Sequence, residues 1–599
     1  MSNSSPAPGQ PVEGGIPSDA LGDDLVPDSV IPHQTLPPLR YRELPEAPHW
    51  TKMLGPSIIL AGLSLGSGEF IFWPYITYKS GFTFFWACMV GVLTQFFINM
   101  EIERWTLATG ESAITGFCRL SRQWAWIMLL LNFIPWIWPG WATGAGTLVS
   151  WTVFGAVPTA TETLESPFTE TITLPGAMTL DSRKQTLEYR GVMSAQQRDH
   201  LLALSNHNGF HTAVESLFLK LQSSKGVTYS APFAAYIAIA TLILVGVVLT
   251  TGPVVYNTVE RLQTWLVAII FVIAILLGIL FIRFDAVVAM ARGIVNIGVM
   301  PDASSGLGVM ALLGALAFAG AGGTMNLGQS NFIKDKGYGM GKYIGRITSP
   351  LTGNEEAIAD TGFHFRHTPE NMARWRGWWR AANFEHFWSF YGTCVVCLVL
   401  LSLVAYSLLR NPDGSLKPGM DRFGQDMNFV WGESQEIGSA FGMVGPVLKL
   451  LFLVMGIAIL LTTELGVLDA VSRIGADILK VNYLRENPRW PLGRLYFLLL
   501  WTMILTGSAI LLASSAFPNF KQPLFLLKTA AAMNGGVMMI YSLLLLYLNT
   551  KILSRSLSIS PLRFVAMVWA CAFFGYFTIQ AIQLEVIPWM KEMVMWLLG

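Results

Sequence analysis

Long apolar runs separated by polar stretches extend along nearly the whole chain after residue 53. A helix needs about 20 consecutive apolar residues to cross a bilayer. With that requirement, the pattern predicts about eleven membrane-spanning helices. Their expected ranges are 54–79, 82–108, 124–153, 232–252, 262–282, 308–333, 386–409, 440–466, 493–513, 523–548 and 562–583. The chain is therefore expected to be an all-α, multi-pass membrane protein.

The composition supports a membrane protein and limits the kinds of partner that are expected. Of the 599 residues, 53% are hydrophobic and only 13% are charged, about half the charged share of a soluble domain. The formal net charge is +1, and no basic patch carries interleaved aromatic residues, so no nucleic acid partner is expected. The lipid bilayer is the expected environment, and a monomer is the expected assembly.

The N-terminal segment and the loop charges predict an orientation. Residues 1–48 are rich in Pro, Gly, Ser and Asp and lack the regions of a signal peptide, so they are predicted to be a disordered tail. Lys and Arg concentrate in loops on the side of this tail. Because basic loops stay in the cytoplasm, the N-terminus is expected inside the cytoplasmic (inner) membrane. An odd number of spans then puts the C-terminus outside.

Two long polar segments interrupt the spans. Segment 155–230 follows the third span, which puts it outside the cell, and its amphipathic stretch predicts one or two helices that cap the outer face. Segment 334–384 lies inside and is rich in Trp and Arg, which indicates an element at headgroup depth.

Polar residues interrupt the first span in its middle. The stretch "AGLSLGSGEF" carries three glycines and then a carboxylate, Glu69. In hydrocarbon, unwound backbone survives only where it is buried in protein or lines a wet cavity. An ionisable group at such depth is costly and is a candidate functional group. The alternative is close helix packing at the glycines, with Glu69 paired to a basic residue such as Lys449 or Lys528.

A second interruption occupies the sixth span, "GALAFAGAGGTMNLGQSNF". If residues 49–282 form one repeat of five spans and 283–548 the second, the interruptions fall in the first helix of each half. The remaining residues, 549–599, hold the eleventh span and the C-terminus. Matched interruptions in two inverted halves indicate the binding site of a secondary transporter.

The first two spans resemble the Nramp family of proton-coupled divalent-metal transporters, which have the LeuT-like fold. The resemblance rests on "LGPSIILAGLSLGSGE", on "MEIERWTLATGES" and on "YNTVERLQTWLVAII" at the start of the fifth span. It implies a 5+5 inverted repeat with broken helices one and six, and a transported cation such as Mn²⁺, Fe²⁺ or Mg²⁺ coupled to H⁺.

The chain departs from the family at both interruptions. Where family members carry Asp-Pro-Gly-Asn, this chain reads Gly66-Ser67-Gly68-Glu69, and Met-Pro-His is replaced by a sequence containing Met325. The resemblance leaves Glu69 and Met325 as candidate metal ligands, and a thioether favours transition metals over Mg²⁺. The acidic residue of the family's third helix has no counterpart in "PWIWPGWATGAGTLVS".

The candidate residues fall into two groups. The substrate or ion site is expected to be formed by Gly66, Ser67, Glu69, Gly323, Thr324, Met325, Asn326 and Gln329. The second group could carry protons or pair with Glu69, and it consists of Glu101, Glu103, Arg104, Glu464 and Lys528. For these acids, ion pairs on the helix surface are the alternative.

Three function classes follow from these patterns. The leading one is a secondary active transporter that moves a cation by alternating access, with H⁺ or Na⁺ as coupling ion. The substrate could instead be a small polar organic solute, or the chain could be a receptor that binds without transport. No enzyme is expected, because the chain has no HExxH and no phosphate-binding loop, and no cofactor is expected.

Overall fold

The computed structural model describes residues 25–48, 55–66, 68–165, 168, 173–181, 185–223, 226–349, 351–352, 359, 361–513, 523–588 and 591. Its α-helices are α1 Pro56–Ser64, α2 Trp73–Ser80, α3 Phe85–Thr109, α4 Ala113–Leu120, α5 Gln123–Phe133, α6 Gly140–Phe154, α7 Ala195–Leu202, α8 Asn208–Ser223, α9 Ala234–Thr251, α10 Val255–Phe281, α11 Phe284–Val295, α12 Val309–Ala317, α13 Gly323–Lys336, α14 Pro369–His386, α15 Thr393–Leu409, α16 Asn428–Ser439, α17 Gly445–Asn482, α18 Leu492–Ala513, α19 Pro523–Tyr547 and α20 Pro561–Ala581. The strands are β1 Arg40–Tyr41, β2 Val157–Thr163, β3 Met178–Asp181, β4 Thr186–Arg190, β5 Thr228–Ser230 and β6 Phe363–His364.

Ten helical segments of the described chain are long and apolar enough to cross a membrane. The predicted sixth span consists of two shorter helices, α12 and α13, with an interruption between them. The apolar surfaces of the helices pack against one another. Together they form one continuous hydrophobic core that runs through the bundle. The long helix α17 lies at its centre, in contact with α1, α6, α10, α13 and α18.

Helix α17 is longer than its hydropathy predicts. The apolar run suggests an end near residue 466, but the helix continues to Asn482. The added turns carry Asp469, Arg473 and Asp477, all buried. Their charges are neutralised within the protein, because Arg473 pairs with Asp469 at 2.7 Å and Lys334 pairs with Asp477 at 2.6 Å. Buried ion pairs therefore extend the helix beyond its apolar segment.

Part of the predicted disordered tail is ordered. Residues 25–48 bury the apolar side chains of Val26, Leu39 and Leu44, and β1 pairs in parallel with β6. Residues 1–24 lie outside the described part of the chain. We call the side of the molecule formed by residues 25–48, 361–386 and 548–560 the basic face.

The segment 155–230 forms a separate unit on the opposite face. The two predicted helices, α7 and α8, are present, but they pack with an antiparallel sheet of order β3-β4-β2-β5 that was not predicted. The unit has its own apolar core, which includes Leu187 and Phe210. Strands of three to seven residues give too few alternating positions to be recognised beside a stronger helical pattern.

Candidate functional site

The first interruption lies directly after α1, which ends at Ser64. Gly66 follows, and the chain then forms a π-helical turn over Gly68–Phe72 before α2. The backbone N–H of Gly66 donates to the Glu69 carboxylate at 3.2 Å. A side chain at Gly66 would collide with the Thr463 hydroxyl of α17. Ser67, a predicted site residue, lies outside the described residues.

The second interruption separates α12 from α13. Gly322 and Gly323 have φ values of 71° and 52°, which L side chains rarely adopt. A side chain at Gly323 would also overlap Asn534 of α19. The carbonyls of Leu316 and Ala317 accept hydrogen bonds from Gln95 Nε2 at 3.1 and 2.8 Å, and the Leu316 carbonyl also accepts one from the Ala319 N–H at 3.3 Å. A glutamine from α3 thus supplies the partners that the unwound backbone loses.

A third interruption, which the hydropathy pattern does not reveal, divides the third span. Helix α5 ends at Phe133, a short 3₁₀ turn follows, and α6 begins at Gly140. The Glu464 carboxylate accepts a hydrogen bond from the N–H of Ala142 at 3.1 Å, in the first turn of α6. A carboxylate in this position interacts favourably with the positive end of the helix dipole.

The interruptions meet at a narrow, closed cavity: about 210 Å³ of space lies between its lining atoms, but no part of it is wide enough for a water molecule. Three aromatic side chains lie in its wall, together with residues of both glycine segments and of α17. The lining consists of Leu63, Ser64, Gly68, Trp136, Trp141, Phe318, Gly320, Ala321, Met325, Thr463 and Val467. None of these residues is charged. Trp136 also donates to the Thr324 hydroxyl at 2.8 Å, which ties the third interruption to α13.

Two carboxyl groups adjoin this cavity without lining it. Glu69 follows the wall residue Gly68, and Glu464 follows the wall residue Thr463. The Glu69 carboxyl is fully buried and receives a hydrogen bond from the Cys394 thiol of α15. Its Oε1 has no hydrogen-bond partner among the described residues. The predicted metal ligands Glu69 and Met325 are therefore not brought together in one wall of the cavity.

The described residues hold no group of three His, Cys, Asp or Glu side chains that could bind a metal ion. The suggested pairing of Glu69 with a lysine is also absent. The Nζ of Lys528 lies 4.6 Å from the centre of the Tyr75 ring, and that of Lys449 lies 4.3 Å from the Trp431 ring. Each lysine is therefore held over an aromatic ring, Lys528 over Tyr75 of α2 and Lys449 over Trp431 of α16.

Two further predicted site residues of α13 point away from the cavity. Asn326 donates to Gln95 at 3.3 Å and to the Tyr541 hydroxyl at 3.0 Å. Gln329 donates to Glu103 and approaches His386 Nδ1, both at 3.3 Å. These amides join α13 to α3, α14 and α19, and their use as direct ligands stays a prediction.

The predicted proton carriers occupy different surroundings. Glu101 is held by Arg104 at 2.7 Å and by Arg563 at 3.3 Å, as the ion-pair alternative requires. Glu103, in contrast, has Gln329 as a hydrogen-bond partner and forms no ion pair within the described chain. Glu101, Glu103 and Glu464 are all buried, but within the described chain only Glu103 and Glu464 lack an ion pair.

Sequence reasoning missed Gln95, Trp136 and Thr463. Gln95 carries a detectable signal, since it is an amide in the middle of an otherwise apolar span. Trp136 lies beside two prolines, Pro135 and Pro139, which mark the third interruption. Thr463 has no such mark, because a threonine in a membrane helix satisfies its hydroxyl within the helix.

Comparisons with known proteins identify the fold. No protein-family model matches the chain, and no curated protein matches it in sequence. Solved structures of the Eremococcus coleocola manganese transporter do match. One, in complex with an aromatic bis-isothiourea substituted compound, has a TM-score of 0.55 at 12% identity and covers 94% of this chain and 90% of that one. A mutant form has a TM-score of 0.54 at 12% identity, with 93% and 91% covered.

These identities are too low to transfer an activity, but the coverage extends over almost the whole of both chains. This chain therefore shares the fold of the Eremococcus coleocola manganese transporter, and it is an integral, multi-pass membrane protein.

Proposed function

We propose that this protein is a secondary transporter that moves an inorganic divalent cation through the cavity between the helix interruptions. The observation that carries the proposal is electrostatic. The cavity has no basic residue in its described lining. Two buried carboxyl groups adjoin it, Glu69 at the first interruption and Glu464 on α17. The relatives in fold that are named above are manganese transporters.

Helix ends add to this polarity. Helices α1 and α12 both end at the cavity, where Ser64 and Phe318 are wall residues. The C-terminal end of a helix carries partial negative charge and free carbonyls, which favour a cation. Helix α6 begins there with its positive end, but Glu464 offsets that charge. The hydroxyls of Ser64 and Thr463 are neutral oxygen donors of the kind that hard cations bind.

A chain of buried polar groups supports proton coupling. It runs from Glu103 through Gln329 to His386 Nδ1, which lies 2.9 Å from the Ser57 hydroxyl. Ser57 also donates to Glu385. Ser57 precedes the first interruption, and Gln329 follows the second. Movement of either half-helix would therefore break this chain, and Glu103 and Glu385 are carboxyls that could take up a proton when it does.

The test is uptake of Mn²⁺, Co²⁺ and Mg²⁺ into liposomes, with the internal pH recorded and with Na⁺ present or replaced. Glu69→Gln and Glu464→Gln should each lower saturable flux by at least about tenfold, because each removes charge beside the cavity. Glu433→Gln is the matched control, since Glu433 is a buried carboxyl of α16 that does not adjoin the cavity.

The Met325→Leu variant tests whether the ion is bound by the soft sulfur of Met325 or only by hard oxygen ligands. If the thioether contacts the ion, this variant should lose Mn²⁺ or Co²⁺ flux while Mg²⁺ flux persists. Glu103→Gln should leave cation flux but abolish the accompanying change of internal pH. No flux of any cation from folded wild-type protein would contradict the proposal.

A small organic solute is the second candidate, favoured by the aromatic wall. Trp136 and Trp141 stack with ring centres 5.3 Å apart, and Phe318 meets Trp141 edge-on at 5.7 Å. Such rings bind apolar or cationic organic groups. Uptake of organic solutes, or binding without any flux, would replace cation transport as the function.

A further inference from the structure

Helix α3 carries polar side chains at intervals of four residues inside a membrane span. Gln95, Asn99 and Glu103 recur with this spacing, which places them on the same side of the helix, one turn apart. All three are buried within the span Phe85–Thr109. Gln95 lies at the second interruption, where its Oε1 accepts a hydrogen bond from the Gly322 N–H at 3.2 Å. The row therefore starts at that interruption and ends at a carboxyl group.

Helix α13 presents amide side chains to this row. Asn326 donates to Gln95 at 3.3 Å, and Gln329 donates to Glu103 at 3.3 Å. Asn99 lies one turn from both of these α3 residues, so its side chain projects into the same space between α3 and α13. We call the five residues Gln95, Asn99, Glu103, Asn326 and Gln329 the polar seam.

Asn99 is fully buried, yet neither end of its amide has a partner. Its Nδ2 and its Oδ1 both lack a hydrogen bond to any described residue. Exchange of the two atoms by a flip of the amide leaves this unchanged, because both are unpartnered. The Oδ1 of Asn326 and the Oε1 of Gln329 are unpartnered as well. Buried polar atoms are costly without a hydrogen bond, and in native proteins they bond to protein or to ordered water.

The chemistry of these atoms fits water better than an ion. They comprise one donor, Asn99 Nδ2, and three acceptor oxygens, those of Asn99, Asn326 and Gln329. A water molecule both donates and accepts, so it satisfies both kinds of atom, and buried waters typically make about three such hydrogen bonds. An anion would meet mainly acceptors, and a cation would lie against the Asn99 N–H.

Water in the polar seam connects the second interruption to groups that take up protons. Glu103 accepts from Gln329, which also approaches His386 Nδ1 at 3.3 Å. Neutral amides do not carry a proton themselves, but they orient water. Along hydrogen-bonded waters each molecule receives one proton and passes on another. The waters are therefore unchanged at the end, and the Glu103 carboxylate has gained the proton.

We propose that Asn99 positions ordered water in the polar seam, and that this water carries the coupling proton between the second interruption and Glu103. Asn99 is thus a positioning residue, because it acts on the proton through the water that it binds. Its role in coupling rests on the proposed function, whereas the presence of the water does not. Asn99 is not part of the cavity lining, so its replacement leaves the wall of the cation path intact.

Three variants of the full-length protein separate water positioning from packing. Asn99→Leu keeps the approximate size of the side chain and removes both polar atoms. Asn99→Ser keeps a hydroxyl and leaves more room for water. Ser402→Ala is the matched control, because the Ser402 hydroxyl on α15 is equally buried and lacks a partner among the described residues, but it lies outside the seam.

The readouts are cation uptake and internal pH in the same liposomes, and the unfolding midpoint in detergent. A cryo-electron microscopy map of the wild type in nanodiscs, at a resolution that shows buried waters, tests the water directly. We expect water density within hydrogen-bonding distance of Asn99. The number of protons moved per cation should fall at least about tenfold in Asn99→Leu and stay near the wild-type value in Asn99→Ser and Ser402→Ala.

The outcomes distinguish this proposal from the proposed function. No density at Asn99, in a map that resolves other buried waters, would overturn the proposal whatever the protein transports. A purely structural role would also overturn it, and it would lower the midpoint and cation uptake of Asn99→Leu without changing the proton-to-cation ratio. A wild type that moves no cation contradicts the proposed function instead, and the density then still decides whether the seam holds water. If Asn99→Leu does not fold, Asn99→Val takes its place.

Discussion

At the scale of single residues, burial determines the pH at which His364 binds a proton. Its Nδ1 is 2.9 Å from the Ala108 carbonyl, so Nδ1 carries the proton in the neutral ring. Desolvation by burial lowers the pKa of His364 from 6.5 to about 4. At pH values between about 4 and 6.5, His364 is protonated in the unfolded chain and neutral in the folded chain. The free energy of unfolding therefore rises with pH through this window and is constant for this residue above it.

The consequence is measurable as acid sensitivity. When the pH falls from 7 to about 4, the titration of His364 should lower the free energy of unfolding by at most about 3 kcal/mol. Contributions from other titrating groups add to this change. His364→Gln keeps a hydrogen-bond donor to Ala108 and removes the titration. Its unfolding midpoint in detergent should fall less on acidification than that of the wild type. Parallel pH profiles for the two proteins would contradict this assignment.

Gln95 leads to a second prediction at this scale. Gln95→Leu keeps the size of the side chain but leaves the Ala317 carbonyl and the Gly322 N–H without their partner, and it removes one of the two donors to the Leu316 carbonyl. Unpaired backbone groups of this kind cost about 3 kcal/mol together. We expect a clearly lower unfolding midpoint. Thr106→Val is the control, because the Thr106 hydroxyl bonds only to Ile102 within the same helix. Equal midpoints for the two variants would show that Gln95 does not support the interruption.

Glu69 shows why the site could be predicted only in part. Its burial beside a helix interruption follows from the glycines and the carboxylate in an apolar span. Its direction does not, because the π-helical turn Gly68–Phe72 rotates the side chain relative to an α-helix. The Glu69 carboxyl faces Cys394 of α15, whereas Met325 lines the cavity. No periodicity in the sequence marks such a turn.

At the scale of elements, ion pairs fasten the end of α13 to α17. Lys334 binds Asp477 at 2.6 Å, and Arg473 binds Asp335 as well as Asp469. These side chains are almost completely buried, so removal of one partner leaves a charge that water cannot reach. The pairs hold the second half-helix against the central helix on the basic face.

A double-mutant cycle measures this attachment. Lys334→Met and Asp477→Asn should each lower the free energy of unfolding by about 3 kcal/mol, with a large favourable coupling between them. The pair Arg374–Glu370 is the control, since it is an exposed i,i+4 pair on α14. Its coupling should stay below about 0.5 kcal/mol. Similar coupling energies in the two cycles would contradict a structural role for the buried pair.

The unit formed by residues 155–230 is an element that the chain should tolerate losing. Its ends are neighbours, because β2 and β5 pair with Val157 opposite Ser230. A short Gly-Ser linker from 156 to 231 can therefore replace it. We expect this deletion to elute as a single species with a nearly unchanged unfolding midpoint. Deletion of residues 25–48 is the contrast and should destabilise the protein, since that segment buries side chains in the main core. Aggregation of the first deletion alone would contradict this expectation.

At the scale of the whole molecule, the hydropathy pattern was enough to predict the class and most of the spans. It failed where polar groups are neutralised by partners distant in sequence. Charges paired with Lys334 and Asp335 of α13 lengthen α17, and backbone groups satisfied by Glu464 permit the third interruption. Both features depend on contacts between helices, and the hydropathy pattern along the sequence does not contain that information.

The orientation in the membrane is the last expectation at this scale. Basic loops concentrate on the basic face, so this face should be cytoplasmic and the 155–230 unit should be outside. Cysteine accessibility tests it, because four native cysteines are buried and the fifth, Cys571, is only partly accessible. Ala195→Cys lies in the outer unit and Lys342→Cys lies on the opposite side, and both positions are exposed. In intact cells a membrane-impermeant maleimide should label the first variant and reach the second only after permeabilisation. The reverse pattern would invert the orientation and put the 155–230 unit in the cytoplasm.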